Sequence, residues 1–321
     1  MKINVLVTSV GGDIGANIVS ILDEQNLFEV NMIGVDIKTH VFAEKELNHF
    51  YCIPKLLDDG YFPALSRIIK AHNIDIIIPS SEMDILYLHK NMEKFLFLDV
   101  KLLINSSKIV NIFLDKYQTS TELNDLNIST PATYILGSYK NEETFPLIIK
   151  ASRSTTSKMI TKINDEKMLA ETKKNISSPD KYIVQEYIGT EDEEYTTAVY
   201  RNNTTIKVIT FQRRLDGDKT GYAKIVNSEI LTQYAIRIAE KYNLKGSINI
   251  QSRKLKNDYY IFEINPRISS TVYIRNYFGF HDLLWWITDI LNISIDIEYN
   301  EQFKNGVAII GYKYRFYNEE S

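Results

Sequence analysis

Two neighbouring apolar runs in the last third of the chain carry polar residues at a spacing that could do phosphate chemistry. Gly246-Ser247-Ile248-Asn249-Ile250-Gln251 is followed by Tyr260-Ile261-Phe262-Glu263-Ile264-Asn265-Pro266-Arg267. Side chains alternate along a strand, so Asn249 and Gln251 share one face, as do Glu263 and Asn265, while Ile248, Ile250, Phe262 and Ile264 take the opposite faces. The pair reads as a hairpin. Amides and a carboxylate on an inner sheet surface are costly unless something satisfies them. A magnesium ion would, because it takes hard oxygen ligands through one or two carboxylates plus nucleotide phosphates. Glu263 with the side-chain oxygens of Asn265 and Gln251 suits that role. Pro266 ends the strand, and Arg267 beyond it can hold phosphoryl oxygens in a charge-assisted fork. The plainer alternative is an edge hairpin whose polar residues face water.

A second signal lies at the start. Val10-Gly11-Gly12-Asp13-Ile14-Gly15 follows a strand-like run and opens a helix, and Asp36 ends the next strand, where a dinucleotide fold places its ribose carboxylate. Val10 stands where that fingerprint has its first glycine, and a glycine-lined turn also serves close packing. Other chemistries lack support. The five histidines and Cys52 form no zinc spacing, and the chain has neither a P-loop lysine motif nor a nucleophile elbow. Cys52, between Tyr51 and Ile53, reads as a packed thiol.

These residues need a scaffold, and the first third supplies a parallel one: strands at 3–8, 31–36 and 74–79 alternate with helices at Ala16–Glu24 and Tyr61–His72. One helix is expected over Lys108–Asn127. Strands then dominate, at Leu147–Lys150, Tyr182–Tyr187, Tyr195–Tyr200, Ile206–Phe211, Ser247–Gln251 and Tyr259–Asn265, with helices at 166–175, 228–242 and 281–291. A length of 321 residues allows two or three substructures. A formal charge of -4 with scattered basic residues argues against nucleic acid and anionic membranes as partners. With no signal peptide, no apolar stretch of spanning length and a single cysteine, a cytoplasmic protein is expected.

On the Asn249-x-Gln251 and Glu263-x-Asn265-Pro266-Arg267 strands the sequence resembles the ATP-grasp superfamily, in its carbamoyl-phosphate synthetase large-chain-like branch. The resemblance implies an α/β and α+β architecture: a Rossmann-like pre-grasp domain over 1–107, then a two-subdomain ATP-grasp fold, with a small subdomain over 108–187 and a C-terminal subdomain with the metal site over 188–321. It implies magnesium, or manganese, on Gln251, Glu263 and Asn265. Lys116, in the Asp115-Lys116 helix, and Lys150 would approach the phosphates of ATP. Gln185, Glu186 and Ile188 would form the hinge at adenine, and Glu194 would accept ribose hydroxyls. The phosphate-covering loop falls on 151–158, glycine-free here, with Arg153 a candidate ligand. Arg275 stands in for a basic residue that often follows the Asn-Pro-Arg run.

The activity implied is a ligase that activates a carboxylate as an acyl phosphate and couples it to an amine, with Arg267 and Lys150 as catalytic groups and Ser81 and Arg214 at the substrates. A small-molecule kinase would share every ATP residue; a nicotinamide-dependent oxidoreductase would use the glycine turn instead. The expected partners are a small-molecule carboxylate and amine, and a homodimer is compatible.

Overall fold

A computed structural model describes residues 2–141, 143–153, 160–217, 219–299 and 305–311. The chain divides into two compact units, Met1–Ile104 with Arg267–Phe303 and Ala308–Ser321, and Asn105–Pro266 with Lys304–Val307. This differs from the three-part division expected, chiefly because the segment from Arg267 onward groups with the first hundred residues.

The first unit opens with β1 (Lys2–Thr8), α1 (Asp13–Glu24), β2 (Glu29–Asp36), β3 (His49–Cys52), α2 (Tyr61–His72), β4 (Ile76–Ile78), α3 (Glu82–Lys90), α4 (Met92–Leu96) and β5 (Lys101–Leu102). All pairings are parallel, in the order β3-β2-β1-β4-β5. Ile76, Ile77 and Ile78 are all buried, as a strand covered on both faces requires. The helices cover the sheet with stripes at helical spacing: Leu65, Ile68 and Ile69 of α2 join Leu6, Ile33 and Ile77 in one core. Cys52, expected to be packed, is exposed on the edge strand β3.

The second unit follows with α5 (Ser107–Phe113), α6 (Lys116–Asp125), β6 (Thr133–Ile135), β7 (Leu147–Ala151), β8 (Thr161–Ile163), α7 (Glu166–Asn175), β9 (Tyr182–Glu186), β10 (Glu194–Arg201), β11 (Ile206–Asp216), β12 (Lys219–Ile225), α8 (Glu229–Lys241), β13 (Gly246–Leu255) and β14 (Asp258–Asn265). Strands β6-β9-β7-β8 form one antiparallel sheet. A larger sheet runs β14-β13-β10-β11-β12, with the short strand β15 (Val307–Ile309) at the β12 edge. Its core face, through Ile248, Ile250, Ile261 and Ile264, packs on Ile109 and Phe113 of α5, Leu123 of α6 and Ala235 and Ile238 of α8.

The single helix expected over 108–127 is two. Asp115 has extended backbone and its carboxylate accepts from the Tyr117 and Gln118 amides, so it caps α6 and makes Lys116 the first residue of a new helix. No Gly or Pro marks the break, which hides it from a reading of helix-breaking residues.

The chain returns to the first unit with α9 (Val272–Tyr277) and α10 (Asp282–Leu291). Asn17 of α1 donates to the Ser270 carbonyl at 3.0 Å, and Tyr273 donates to Glu24. Arg275, expected to stand in for the basic residue that often follows the Asn-Pro-Arg run, is fully buried: its guanidinium makes two 2.7 Å bonds to Asp282 and donates to the Ser269 and Thr271 hydroxyls. A guanidinium so enclosed has no face left for a ligand. No helix among the described residues is long and apolar enough to cross a membrane.

Removing one member of this enclosed ion pair strands the other charge. Asp282→Leu is expected to cost about 3–5 kcal/mol in denaturant unfolding, and Arg275→Met with Asp282→Leu to recover most of it.

Candidate functional site

The functional face is built on the β13–β14 hairpin. Its register sets Asn249 opposite Asn265 and Gln251 opposite Glu263, so the four polar side chains share a face, as alternation predicts. One expectation fails. The pairing jumps from Gln251–Glu263 to Ser252–Ile261, leaving Phe262 as an extra residue in a bulge. Ile261 thus takes the core position, and Phe262, expected in the core, is half-buried with its ring 5.4 Å from the Lys150 Nζ and 5.8 Å from the Arg253 guanidinium. Asn105, just before α5, fixes the open end of the hairpin. Buried, it donates to the carbonyls of Ser247 at 2.8 Å and Pro266 at 3.0 Å.

Two lysines reach this face. Lys116 meets Glu263 at 3.2 Å, with its side chain nearly enclosed. A cation in the first turn of a helix opposes the helix dipole, so this lysine depends on a carboxylate or another anion. Lys150, on β7, is buried, and its Nζ reaches the Phe262 carbonyl only at 3.5 Å. Burial pushes its pKa down to about 8; Glu263 opposes this, while Lys116 and Arg253 add to it.

Across the sheet, register aligns Arg213 of β11, Glu194 of β10 and Arg253 of β13 in one row. Arg213 places Nε and Nη2 at 3.0 and 2.8 Å from Glu194 Oε1, and Arg253 places Nε and Nη2 at 3.1 and 3.0 Å from Oε2. Both oxygens of the carboxylate expected to accept ribose hydroxyls are therefore engaged by guanidinium N–H groups. Sequence reasoning passed over Arg253, although it continues the alternation of Asn249 and Gln251. Within this group Lys116, Lys150, Arg213 and Arg253 face Glu194 and Glu263, an excess of two positive charges in a mostly dry environment. Such a surface attracts a compact polyanion.

The hinge candidates lie on β9 and just beyond. Gln185 is buried and donates to the Thr133 hydroxyl at 2.9 Å. The Glu186 and Tyr187 amides pair with the Ala132 and Pro146 carbonyls, and Ile188 is buried. Gly189 has φ +60°, and a Cβ there would lie 2.5 Å from the Lys254 carbonyl, so the segment closes onto β13 only with glycine. Tyr187 receives Lys162 at 3.9 Å and Arg253 at 4.8 Å from its ring centre.

Other candidates are engaged locally. Arg153, exposed, donates from Nε to Asp115 at 2.9 Å. Burial pushes the Asp115 carboxyl up, but hydrogen bonds from Arg153, Ser152 and the Gln118 amide outweigh it and leave the pKa lowered. Arg214 is exposed and paired with Asp192 at 3.0 Å. Most of the expected phosphate-covering loop, 154–158, lies outside the described residues.

In the first unit, Arg267 pairs with the buried carboxylate of Glu82 at 3.1 Å. Ser81 caps α3, accepting from the Asp84 amide and donating to its carboxylate at 2.7 Å. Asp36 does not present itself to a sugar: it turns onto the glycine turn, accepting from the Gly11 amide at 2.8 Å and the Lys38 amide at 3.0 Å. A carboxylate on that amide opposes a pyrophosphate there.

Gln251, Glu263 and Asn265 offer one carboxylate and two amide oxygens on one face, a hard-oxygen set suited to magnesium. Among the described residues no group of three or more His, Cys, Asp or Glu side chains is placed to hold a metal. A single carboxylate needs phosphate oxygens to complete the coordination.

Comparison with known proteins matches residues 178–309 to the family "ATP-grasp in the biosynthetic pathway with Ter operon" and residues 5–103 to the "PylC-like, N-terminal domain". The carbamoyl phosphate synthase large chain of Caldanaerobacter subterraneus subsp. tengcongensis is 28% identical over 196 residues, covering 56% of this chain and 18% of that one. The chain thus spans under a fifth of the length of the curated relatives it matches. Among solved structures, N5-carboxyaminoimidazole synthetase from Staphylococcus aureus, complexed with ADP, superposes with TM-score 0.72 at 15% identity, covering 96% of this chain and 81% of that one. The L-amino acid ligase from Bacillus licheniformis gives TM-score 0.67 at 14% identity, covering 90% and 74%.

Two outcomes are expected. A lysine with a folded pKa near 8 and an unfolded pKa near 10.4 lowers stability most below pH 8, and the penalty fades as pH rises towards 10. Lys150→Met should therefore stabilise the protein by about 3 kcal/mol at pH 7, with the gain over wild type shrinking in denaturant melts between pH 8 and 10. Magnesium titrated calorimetrically into nucleotide-free protein should bind no tighter than about millimolar, and much more tightly once a nucleoside triphosphate is added.

Proposed function

We propose, on the premise that the chain belongs to the ATP-grasp superfamily, in the branch that includes the carbamoyl phosphate synthase large chain, that it is an ATP- and magnesium-dependent ligase joining a carboxylate to an amine. The observation that carries this reading is the enclosed excess of positive charge around Lys150 and Lys116, set against the carboxylate–amide face of Glu263, Asn265 and Gln251.

In this reading Lys150 and Lys116 hold phosphate oxygens, and the Lys116–Glu263 pair is exchanged when nucleotide enters. Glu263 would then be available as a metal ligand. Glu263, Asn265 and Gln251 would hold magnesium, which would supply charge neutralisation at the terminal phosphates. Phe262 and Ile188 supply apolar surface for the base, with Gln185 and Glu186 at its polar edge. Arg267, directly after Asn265-Pro266 in sequence, offsets charge on the transferred phosphoryl group, and Ser81 and Arg153 remain candidates for substrate contact.

A substrate carboxylate oxygen attacks the γ-phosphorus, the bond to the β–γ bridging oxygen breaks and ADP leaves. The resulting acyl phosphate is attacked at its carbonyl carbon by an amine nitrogen. The C–O bond to phosphate breaks, the nitrogen loses a proton, and an amide and inorganic phosphate remain. Positioning and charge carry most of this chemistry, since phosphoryl transfer needs little covalent help from the protein. The likeness to an L-amino acid ligase makes amino acids the first acids and amines to try.

ATP titrated calorimetrically in magnesium should bind to wild type, and Lys150→Met should weaken it at least about tenfold, the worth of a hydrogen bond to a charged partner. ADP release stimulated by an amino-acid pool, with free phosphate and a new amide by mass spectrometry, supports the ligase. A phosphorylated acid accumulating without free phosphate assigns a kinase instead, and absence of ATP binding overturns the nucleotide reading.

A further inference from the structure

A nucleotide held by its phosphates at Lys150 brings its sugar close to the same group of side chains, and a sugar hydroxyl is recognised best by a carboxylate that accepts its proton. Two carboxylates lie within the electrostatic surroundings of Lys150, Glu263 and Glu194. Glu263 faces Lys116 and shares its face with Gln251 and Asn265, the set assigned to metal. Glu194 is the carboxylate that the resemblance to ATP-grasp enzymes places at the sugar, and it is already filled.

A carboxylate offers about four acceptor positions, two on each oxygen. Arg213 takes both on Oε1 and Arg253 both on Oε2, at 2.8 to 3.1 Å. The row is fixed by strand pairing on both sides, not by flexible surface side chains: Arg213 and Arg253 are the direct cross-strand partners of Glu194. Glu194 and Arg213 are themselves buried, so a hydroxyl gains a place only by displacing a guanidinium from a carboxylate in a dry setting, which leaves that cation unpaired. Arg253 is further held against the Tyr187 and Phe262 rings.

We infer that the Arg213–Glu194–Arg253 row withholds Glu194 from the sugar, so that the nucleotide site accepts 2′-deoxyadenosine triphosphate as readily as ATP. The row contributes one net positive charge to the polyphosphate end in place of a hydroxyl acceptor at the sugar. Specificity at this position then rests on the base and the phosphates. The inference depends on the nucleotide site proposed above.

The test is the affinity ratio of dATP to ATP, each titrated calorimetrically with magnesium into wild type and into Arg213→Gln. Wild type should bind the two within about threefold. Arg213→Gln frees one carboxylate oxygen and should create a preference for ATP of about tenfold, since a hydrogen bond to a charged acceptor is worth about 10- to 100-fold. A wild-type preference for ATP of tenfold or more overturns the inference whatever the variant does. A folded variant that still binds both equally overturns it as well, because Glu194 would then not face the sugar; if the variant fails to fold, the wild-type ratio decides. Binding of neither nucleotide to wild type overturns the proposed nucleotide site itself, a result distinct from ATP binding with dATP excluded.

Discussion

Keeping an ammonium group charged away from water is the constraint around which the second unit is arranged. Lys150 enters on a central strand of the small sheet, forms no ion pair of its own among the described residues, and shares its surroundings with Lys116 and Arg253 as well as Glu263 and Glu194. A core built for stability alone would place an aliphatic residue there. In the proposed reading the charge balance closes when a polyanion arrives, so the same side chain that weakens the empty fold would strengthen the filled one. Lys116 repeats the logic on a smaller scale, because the Asp115 cap sets it at the positive end of α6, where an anion is doubly welcome.

Rigid surroundings make that arrangement selective. The polar face of the β13–β14 hairpin is held by cross-strand pairing, by its isoleucine face packed on α5, α6 and α8, and by Asn105 clamping both ends of the open side. Thr196 adds a hydrogen bond from its hydroxyl to the Asn249 side-chain oxygen, fixing the amide orientation next to the candidate metal ligands. Preorganisation of this kind means little rearrangement beyond the proposed exchange at Lys116–Glu263.

How much of this was legible in the sequence depends on the distance over which each feature is determined. The shared face of Asn249, Gln251, Glu263 and Asn265 follows from alternation over a few residues and is found as expected. Phe262 broke the same rule because a bulge inserts a residue, and nothing in the local pattern marks one. The break at Asp115 was hidden because no Gly or Pro marks it, although an aspartate two and three residues ahead of the amides it caps was there to be noticed. The Arg213–Glu194–Arg253 row and the Arg275–Asp282 pair were out of reach for different reasons. The row needs the register of three strands, and the pair needs the burial of a helix whose composition alone leaves Arg275 looking like a surface cation. Asp36 was placed correctly at its strand end, yet its direction, inward onto Gly11, is a property of the folded turn.

The first unit is interrupted in sequence: its sheet is complete by residue 104, but α9 and α10, which supply Tyr273 to Glu24 and the Ser270 carbonyl to Asn17, come only after the whole of Asn105–Pro266. On the ribosome, roughly 160 residues separate the two halves, about ten to thirty seconds of synthesis. During that interval the interrupted unit waits with the side of α1 that bears Asn17 and Glu24 uncovered, while the second unit lacks only the short segment Lys304–Val307. Order of birth and order of assembly therefore differ: the body of the part made second, Asn105–Pro266, is synthesised in one stretch while the part begun first still waits for its last two helices.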